Sequence, residues 1–207
     1  MTATSAFPIT ATERAELGSG LVSFPATFDE FWQLLAEAEY RLEYQNGEII
    51  TMSYETDPHS ILVSEMLRLL GNIFEDKRFA VHNPNRPIYI ETDDEGAVFN
   101  PDATVVLQPS ELFEYQPGMT AVRNPMLVVE VLSPNTRGRD FSKKLPAYKL
   151  IPSLRQIIYI EQEYPMVYLY ERNAAGKWQA TLLEELESSL EIGGQRLDLR
   201  AIYRRLL

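Results

Sequence analysis

Cysteine is absent from the 207 residues, which excludes disulfides and thiolate metal sites. Histidine occurs only twice, too few for a His-rich zinc centre. Any metal is therefore expected to be a hard cation held through oxygen. No apolar run approaches the length of a membrane span, and the N-terminus lacks a basic stretch followed by an apolar one. The expected location is cytoplasmic. Positive charge is also scarce: 19 Lys and Arg stand against 30 Asp and Glu, for a net charge of −11. That balance argues against a whole-protein electrostatic footprint for nucleic acid. What is present is ordinary, with 45% hydrophobic and 24% charged residues, the composition of one well-cored soluble domain.

Residues 1–24 are small and polar without periodicity and read as a loose N-terminal arm; 25–207 read as a single domain. Thr27-Phe28-Asp29-Glu30 fits a capping box and opens a short helix with Phe28, Phe31, Trp32 and Leu35 on its apolar side. Segment 41–52 predicts a hairpin, because Asn46-Gly47 is the favoured two-residue turn. Asp57-Pro58 supplies an N-cap and a first-turn proline, and the helix that follows places Leu62, Met66, Leu69, Leu70 and Ile73 on one face. Strands are expected at 87–92, 98–107, 126–132, 156–161, 166–171 and 177–183, with a turn at 173–176 joining the last two. Pro146 cannot sit deep in a helix, so a helix is expected to start near Ser142, with Lys144 and Tyr148 one turn apart on one side. A short helix closes the chain at 198–206. The pattern predicts a mixed α/β (α+β) fold.

Two acids interrupt apolar strands. Glu130 lies inside Met126-Leu127-Val128-Val129-Glu130-Val131-Leu132, a run that ends at the turn signal Ser133-Pro134-Asn135 and reads as a buried strand. An ionised carboxylate there costs roughly several kcal/mol unless a partner, a metal or a proton compensates it. Asp102 opens a second apolar strand, Ala103-Thr104-Val105-Val106-Leu107. Alone, Asp102 after Pro101 is also ordinary turn chemistry, and Glu130 with Lys144 also reads as a buried ion pair. Jointly, two acids on neighbouring strands with a lysine downstream suggest a metal site that handles phosphate. Phosphodiester hydrolysis needs a hard cation to polarise the phosphoryl oxygen and activate water, and an ammonium to offset developing charge. The stretch 137–155 carries Arg137, Arg139, Lys143, Lys144, Lys149 and Arg155 against one acid, Asp140. Such a local patch can bind phosphate even on an acidic protein. A second basic group, Arg196, Arg200, Arg204 and Arg205, lies near the C-terminus.

These residues resemble the PD-(D/E)xK nuclease superfamily and, more narrowly, the Uma-type restriction endonucleases, formerly a domain of unknown function. The resemblance spans roughly 24–160. It rests on Tyr40-Arg41-Leu42-Glu43 with Asn46-Gly47-Glu48, Pro58-His59, Pro101-Asp102, Val129-Glu130-Val131-Leu132-Ser133-Pro134, and Asp140 with Lys144 and Tyr148. It implies a restriction-endonuclease-like mixed β-sheet flanked by helices. It further implies Asp102 and Glu130 as metal-binding acids, Mg2+ or Mn2+ as the cofactor and DNA as the substrate. The superfamily lysine, two residues after the glutamate, is Leu132 here; the narrower family carries its lysine on the following helix, matching Lys144. Glu43 matches an acid that assists catalysis or the metal, and equally reads as a strand-surface glutamate. His59 is set to contact phosphate or orient water, or to make a helix-terminal hydrogen bond. Tyr148 is set to steady Lys144 or substrate, or simply to pack. Arg137, Arg139 and Lys143 complete the expected substrate contacts, and a homodimer follows by analogy with restriction enzymes that cut two strands. A catalytically silent nuclease-like module that binds nucleic acid or regulates is the alternative.

Overall fold

The computed structural model describes residues 7–52, 55–93 and 95–207. Its first elements are α1 (Ala11–Glu16), β1 (Val22–Pro25), α2 (Phe28–Glu37), β2 (Leu42–Gln45), β3 (Glu48–Thr51) and α3 (Asp57–Ile73). Six strands follow: β4 (Phe79–His82), β5 (Ile88–Ile90), β6 (Ala97–Phe99), β7 (Ala103–Leu107), β8 (Leu112–Gln116) and β9 (Met119–Val122). Then come β10 (Pro125–Leu132), α4 (Arg137–Arg139), a π-helical turn (Asp140–Lys144) and α5 (Leu145–Leu150). The chain ends with β11 (Gln156–Glu161), β12 (Val167–Arg172), β13 (Trp178–Leu183), β14 (Ser189–Ile192), β15 (Gln195–Asp198) and α6 (Leu199–Tyr203). The result is a mixed α+β architecture.

Two large sheets carry the fold. One has the order β13-β12-β11-β10-β7-β4, with β10 parallel to β11 and antiparallel to β7. The other has the order β1-β3-β2-β6-β5-β9-β8, and β14 pairs with β15 in a small hairpin. Alternation along β10 divides two cores. Leu127, Val129 and Val131 pack with Leu62, Met66 and Leu70 of α3 and with Ile202 and Tyr203 of α6. Val128 and Leu132 pack on the opposite side with Leu145 and Tyr148 of α5 and with Ile88, Ile90 and Phe99 of the second sheet. Glu130 shares that second side by strand parity, so the sheet aims a carboxylate at α5. A third cluster joins Phe31 and Trp32 of α2 to Leu42, Tyr44 and Ile49 of the hairpin.

The local signals behind these elements are physical. Thr27 and Glu30 form the expected capping box, each side chain accepting from the other's backbone N–H. Asn46 and Gly47 both take positive φ, 53° and 75°, as the tight β2–β3 turn demands. Four expectations are corrected. Part of the supposed loose arm is ordered: Thr10 and Glu13 form a second capping box on α1, and β1 pairs with β3; residues 1–6 of that arm lie outside the described residues. The N-cap of α3 is Thr56 rather than Asp57, its hydroxyl accepting from the His59 N–H at 3.3 Å. Segment 98–107 is two strands in different sheets, broken at Asn100, Pro101 and Asp102. Finally, helical structure begins at Arg137, ahead of Ser142. The π turn lets the Leu145 N–H reach back to the Asp140 carbonyl, and the widened turn accommodates Pro146, which lacks an N–H of its own.

Candidate active site

The break between β6 and β7 and the end of β10 open onto a cavity of about 360 Å³ lined by Asp102, Glu130, Lys144, Asp140, Arg139 and His59, among others. Glu130 enters from the buried centre of β10. Asp102 stands at the head of β7, where its Oδ2 accepts the Val131 N–H at 2.7 Å and ties the two strands together beside Glu130. Glu43 enters from β2 and is fully buried. The π turn and α5 present Asp140, Lys144 and Tyr148 on one face.

Lys144 is the hub. Its Nζ lies 2.9 Å from Glu43 Oε1, 3.0 Å from Glu130 Oε1 and 3.7 Å from Asp140 Oδ1. Tyr148 donates its hydroxyl to the same Glu130 oxygen, and Arg139 donates to Glu43 Oε2. The Asn100 N–H completes Glu43, at 2.9 Å. Burial opposes the charge on Lys144, but Glu130, Glu43 and Asp140 outweigh it and raise its pKa above the ordinary lysine value. Burial likewise lifts Glu43, yet Lys144, Arg139 and the Asn100 N–H prevail and hold it at about 2. Glu130 differs. Burial raises it, Lys144 lowers it, and the nearby charges of Asp102, Asp140 and Glu43 raise it again, to about 8. Burial also raises Asp140. A proton or an additional positive charge near Glu130 and Asp102 therefore relieves the site. Glu130 in this state, beside Asp102 on a cavity wall, suits a divalent cation.

His59 stands at the same cavity, with Nε2 3.3 Å from Asp102 Oδ2 and Nδ1 3.6 Å from Glu55 Oε2. Burial would lower its pKa, but Asp102 and Glu55 outweigh burial and raise it to about 10. Arg139 is largely buried, and its Nη2 has no acceptor among the described residues, a donor suited to an anionic oxygen.

The structure thus brings Asp102, Glu130, Lys144, Glu43, His59, Tyr148 and Arg139 together. Arg137 and Lys143 stand apart. Arg137 is spent on Glu161, 2.8 Å away, and on the Tyr168 hydroxyl, with its guanidinium over the Phe141 ring. Lys143 is exposed on a neighbouring groove with Ser142 and Gln45. Arg41, Glu55 and Asn100 line the cavity without having been singled out for it. The sequence signals for them were the place of Arg41 two residues before Glu43 in the resemblance motif, of Glu55 four residues before His59 and of Asn100 two residues before Asp102.

Residues 28–200 match the family model Uma2, described as "Putative restriction endonuclease". The chain is 26% identical over 171 residues to Uncharacterized protein sll1609 of Synechocystis sp., covering 83% of this chain and 94% of that protein. It is also 26% identical over 174 residues to Uncharacterized protein slr1290 of the same organism, covering 84% of each. The crystal structure of a "putative nuclease belonging to DUF820" from Anabaena variabilis superposes with a TM-score of 0.69, over 88% of this chain and 100% of that one. At 20% identity that likeness is one of fold. With its site and most of its length accounted for by residues 28–200, the chain belongs to the Uma2 family.

Proposed function

We propose that this protein is a metal-dependent endonuclease that hydrolyses phosphodiester bonds of DNA. One observation carries the reading: Asp102, Glu130 and Lys144, from three separate elements, line one cavity in a chain of this family. Asp102 and Glu130 would hold Mg2+ or Mn2+, which when bound polarises the phosphoryl oxygen and lowers the pKa of water. Lys144 keeps its proton across the working pH range and places fixed positive charge beside Glu130, where charge develops on the phosphoryl oxygens. Tyr148 orients Glu130 through its hydroxyl, and Glu43 anchors both Lys144 and Arg139. Arg139 is the proposed phosphate contact, joined by His59 as an imidazolium when no cation occupies it. A homodimer would allow both strands of a duplex to be cut.

The test is nicking of supercoiled plasmid with Mg2+ or Mn2+. Asp102→Asn and Glu130→Gln should each lower the rate by about 100-fold or more, the scale of losing transition-state electrostatic stabilisation. Equal rates in the unaltered protein and both variants would assign the nicking to a contaminant. One feature favours a second reading, a nuclease-like module that binds without cutting. Lys144 is already paired with Glu43, Glu130 and Asp140, which holds its ammonium away from a scissile phosphate. Retention of a labelled duplex with no cleavage under any divalent cation would establish that alternative.

A further inference from the structure

Beside the Asp102–Glu130 pair lies a second convergence with different chemistry. Glu55 precedes α3, His59 lies in its first turn and Asp102 heads β7; one ligand atom from each lies within 4.8 Å of the other two. His59 is the informative member. It is only 9% exposed, and its Nδ1 is buried with no hydrogen-bond partner among the described residues. That nitrogen faces Glu55 Oε2 at 3.6 Å, beyond hydrogen-bond reach, while Nε2 faces Asp102 Oδ2 at 3.3 Å. A buried ring nitrogen with no hydrogen-bond partner among the described residues, facing one carboxylate on a cavity wall while a second stands at the other edge of its ring, is a place prepared for something else.

We propose that Glu55, His59 and Asp102 form a binding site for a divalent transition-metal cation. Magnesium takes oxygen ligands, whereas an imidazole nitrogen joined to carboxylates suits Co2+ or Zn2+. The set therefore differs in preference from the all-oxygen Asp102–Glu130 pair. Asp102 belongs to both sets, so the two cations would have a carboxylate in common. The cation site stands on its own geometry; only the sharing of Asp102 rests on the nuclease reading. It also departs from the expectation, drawn from the scarcity of histidine, that oxygen alone would hold a metal here.

Co2+ alone is the probe, titrated into tag-free, full-length protein and followed by calorimetry and by the visible absorption of the bound ion. The chain has no cysteine and one other histidine, His82, so a nitrogen–cobalt signal has few sources. His59→Gln and Glu55→Gln should each weaken Co2+ binding by about 10- to 100-fold or more, and His82→Gln should leave it unchanged. Thermal melting without metal checks that each variant folds; Glu55, less buried than His59, keeps the test standing if His59→Gln does not. Glu130→Gln separates the two readings, because it should abolish Mg2+-dependent nicking while Co2+ still binds. Co2+ binding in a protein that never nicks DNA removes the nuclease reading and keeps the cation site. Equal Co2+ affinity in unaltered, His59→Gln and Glu55→Gln protein, or no binding in any, overturns the proposal and leaves His59 as an imidazolium clamped between two carboxylates.

Discussion

Lys144 illustrates how a single side chain fixes the site. Its ammonium is almost wholly buried, with Glu43 and Glu130 at hydrogen-bond distance and Asp140 slightly farther away. Desolvating these groups costs several kcal/mol apiece in rough terms, and their mutual attraction offsets that only while the set is complete. Replacing the ammonium with an apolar chain of similar length leaves carboxylates buried without their shared cation. Lys144→Met should therefore destabilise the fold by about 3–5 kcal/mol, read from urea unfolding at pH 7. Removing one stranded charge at the same time should recover part of the loss, so Lys144→Met with Glu43→Gln is expected to be less damaging than the two single effects added together. Strict additivity in that double-mutant cycle would mean that the two groups are not energetically coupled.

At the scale of elements, the π turn decides which side chains meet. It carries one residue more than an α-helical turn needs, and that residue sets the phase between Arg139 and Asp140 on one side and Lys144 and Tyr148 on the other. Each residue added to a regular helix rotates what precedes it by about 100°. The π turn already absorbs one such residue, so a further alanine inserted beside exposed Ser142 should swing Arg139 away from Glu43 and Asp140 away from Lys144. A cooperative melt with nicking reduced by about 100-fold is the expected result; cleavage at the unaltered rate would show that the phase does not matter. The turn itself was only half legible. Pro146 announced trouble for a regular helix, but the sequence pattern suggested a late start rather than a wider turn, because both remove the same clash. The β2–β3 hairpin and the α2 capping box were readable because Asn46-Gly47 and Thr27 with Glu30 act through neighbours in sequence. Strands β4 and β9 were not, since their burial does not alternate, and β8 alternates only between exposed and half-buried positions with no fully buried face. Val98 to Leu107 read as one strand because burial in either sheet asks for the same residues, and local pattern does not say which sheet receives them. Acids inside apolar runs, Asp102 and Glu130, stood out in the site; Arg41, Glu55 and Asn100 acquire their place only through tertiary packing.

Across the whole molecule, basic residues that look like a surface patch in sequence are largely consumed internally. Arg196 pairs with Asp198, Arg200 with Glu187, and Arg204 and Arg205 with Glu65 of α3. Glu65 is the anchor of this arrangement: its carboxylate is buried, with Arg68 at 2.6 Å, Arg204 at 2.7 Å and Arg205 at 3.3 Å. The C-terminal residues are thereby fastened to α3, over the apolar contact that Ile202 and Tyr203 make with the core. The Arg68 hydrogen bond lowers the Glu65 pKa most; burial opposes it, and the charges of Arg68 and Arg204 add to the lowering below the ordinary 4.5. Because the folded value lies below the unfolded one, the stabilisation is complete above about 4.5 and disappears as pH falls through the folded value. The arginines remain partly in water, which screens them, so Glu65→Gln should cost about 1–2 kcal/mol at pH 7, less than a fully buried pair. Melting temperatures of the two proteins should then converge as the pH is lowered from 7 toward 3. A gap that persists undiminished in acid would mean that α6 is held by the packing of Ile202 and Tyr203 and not by charge.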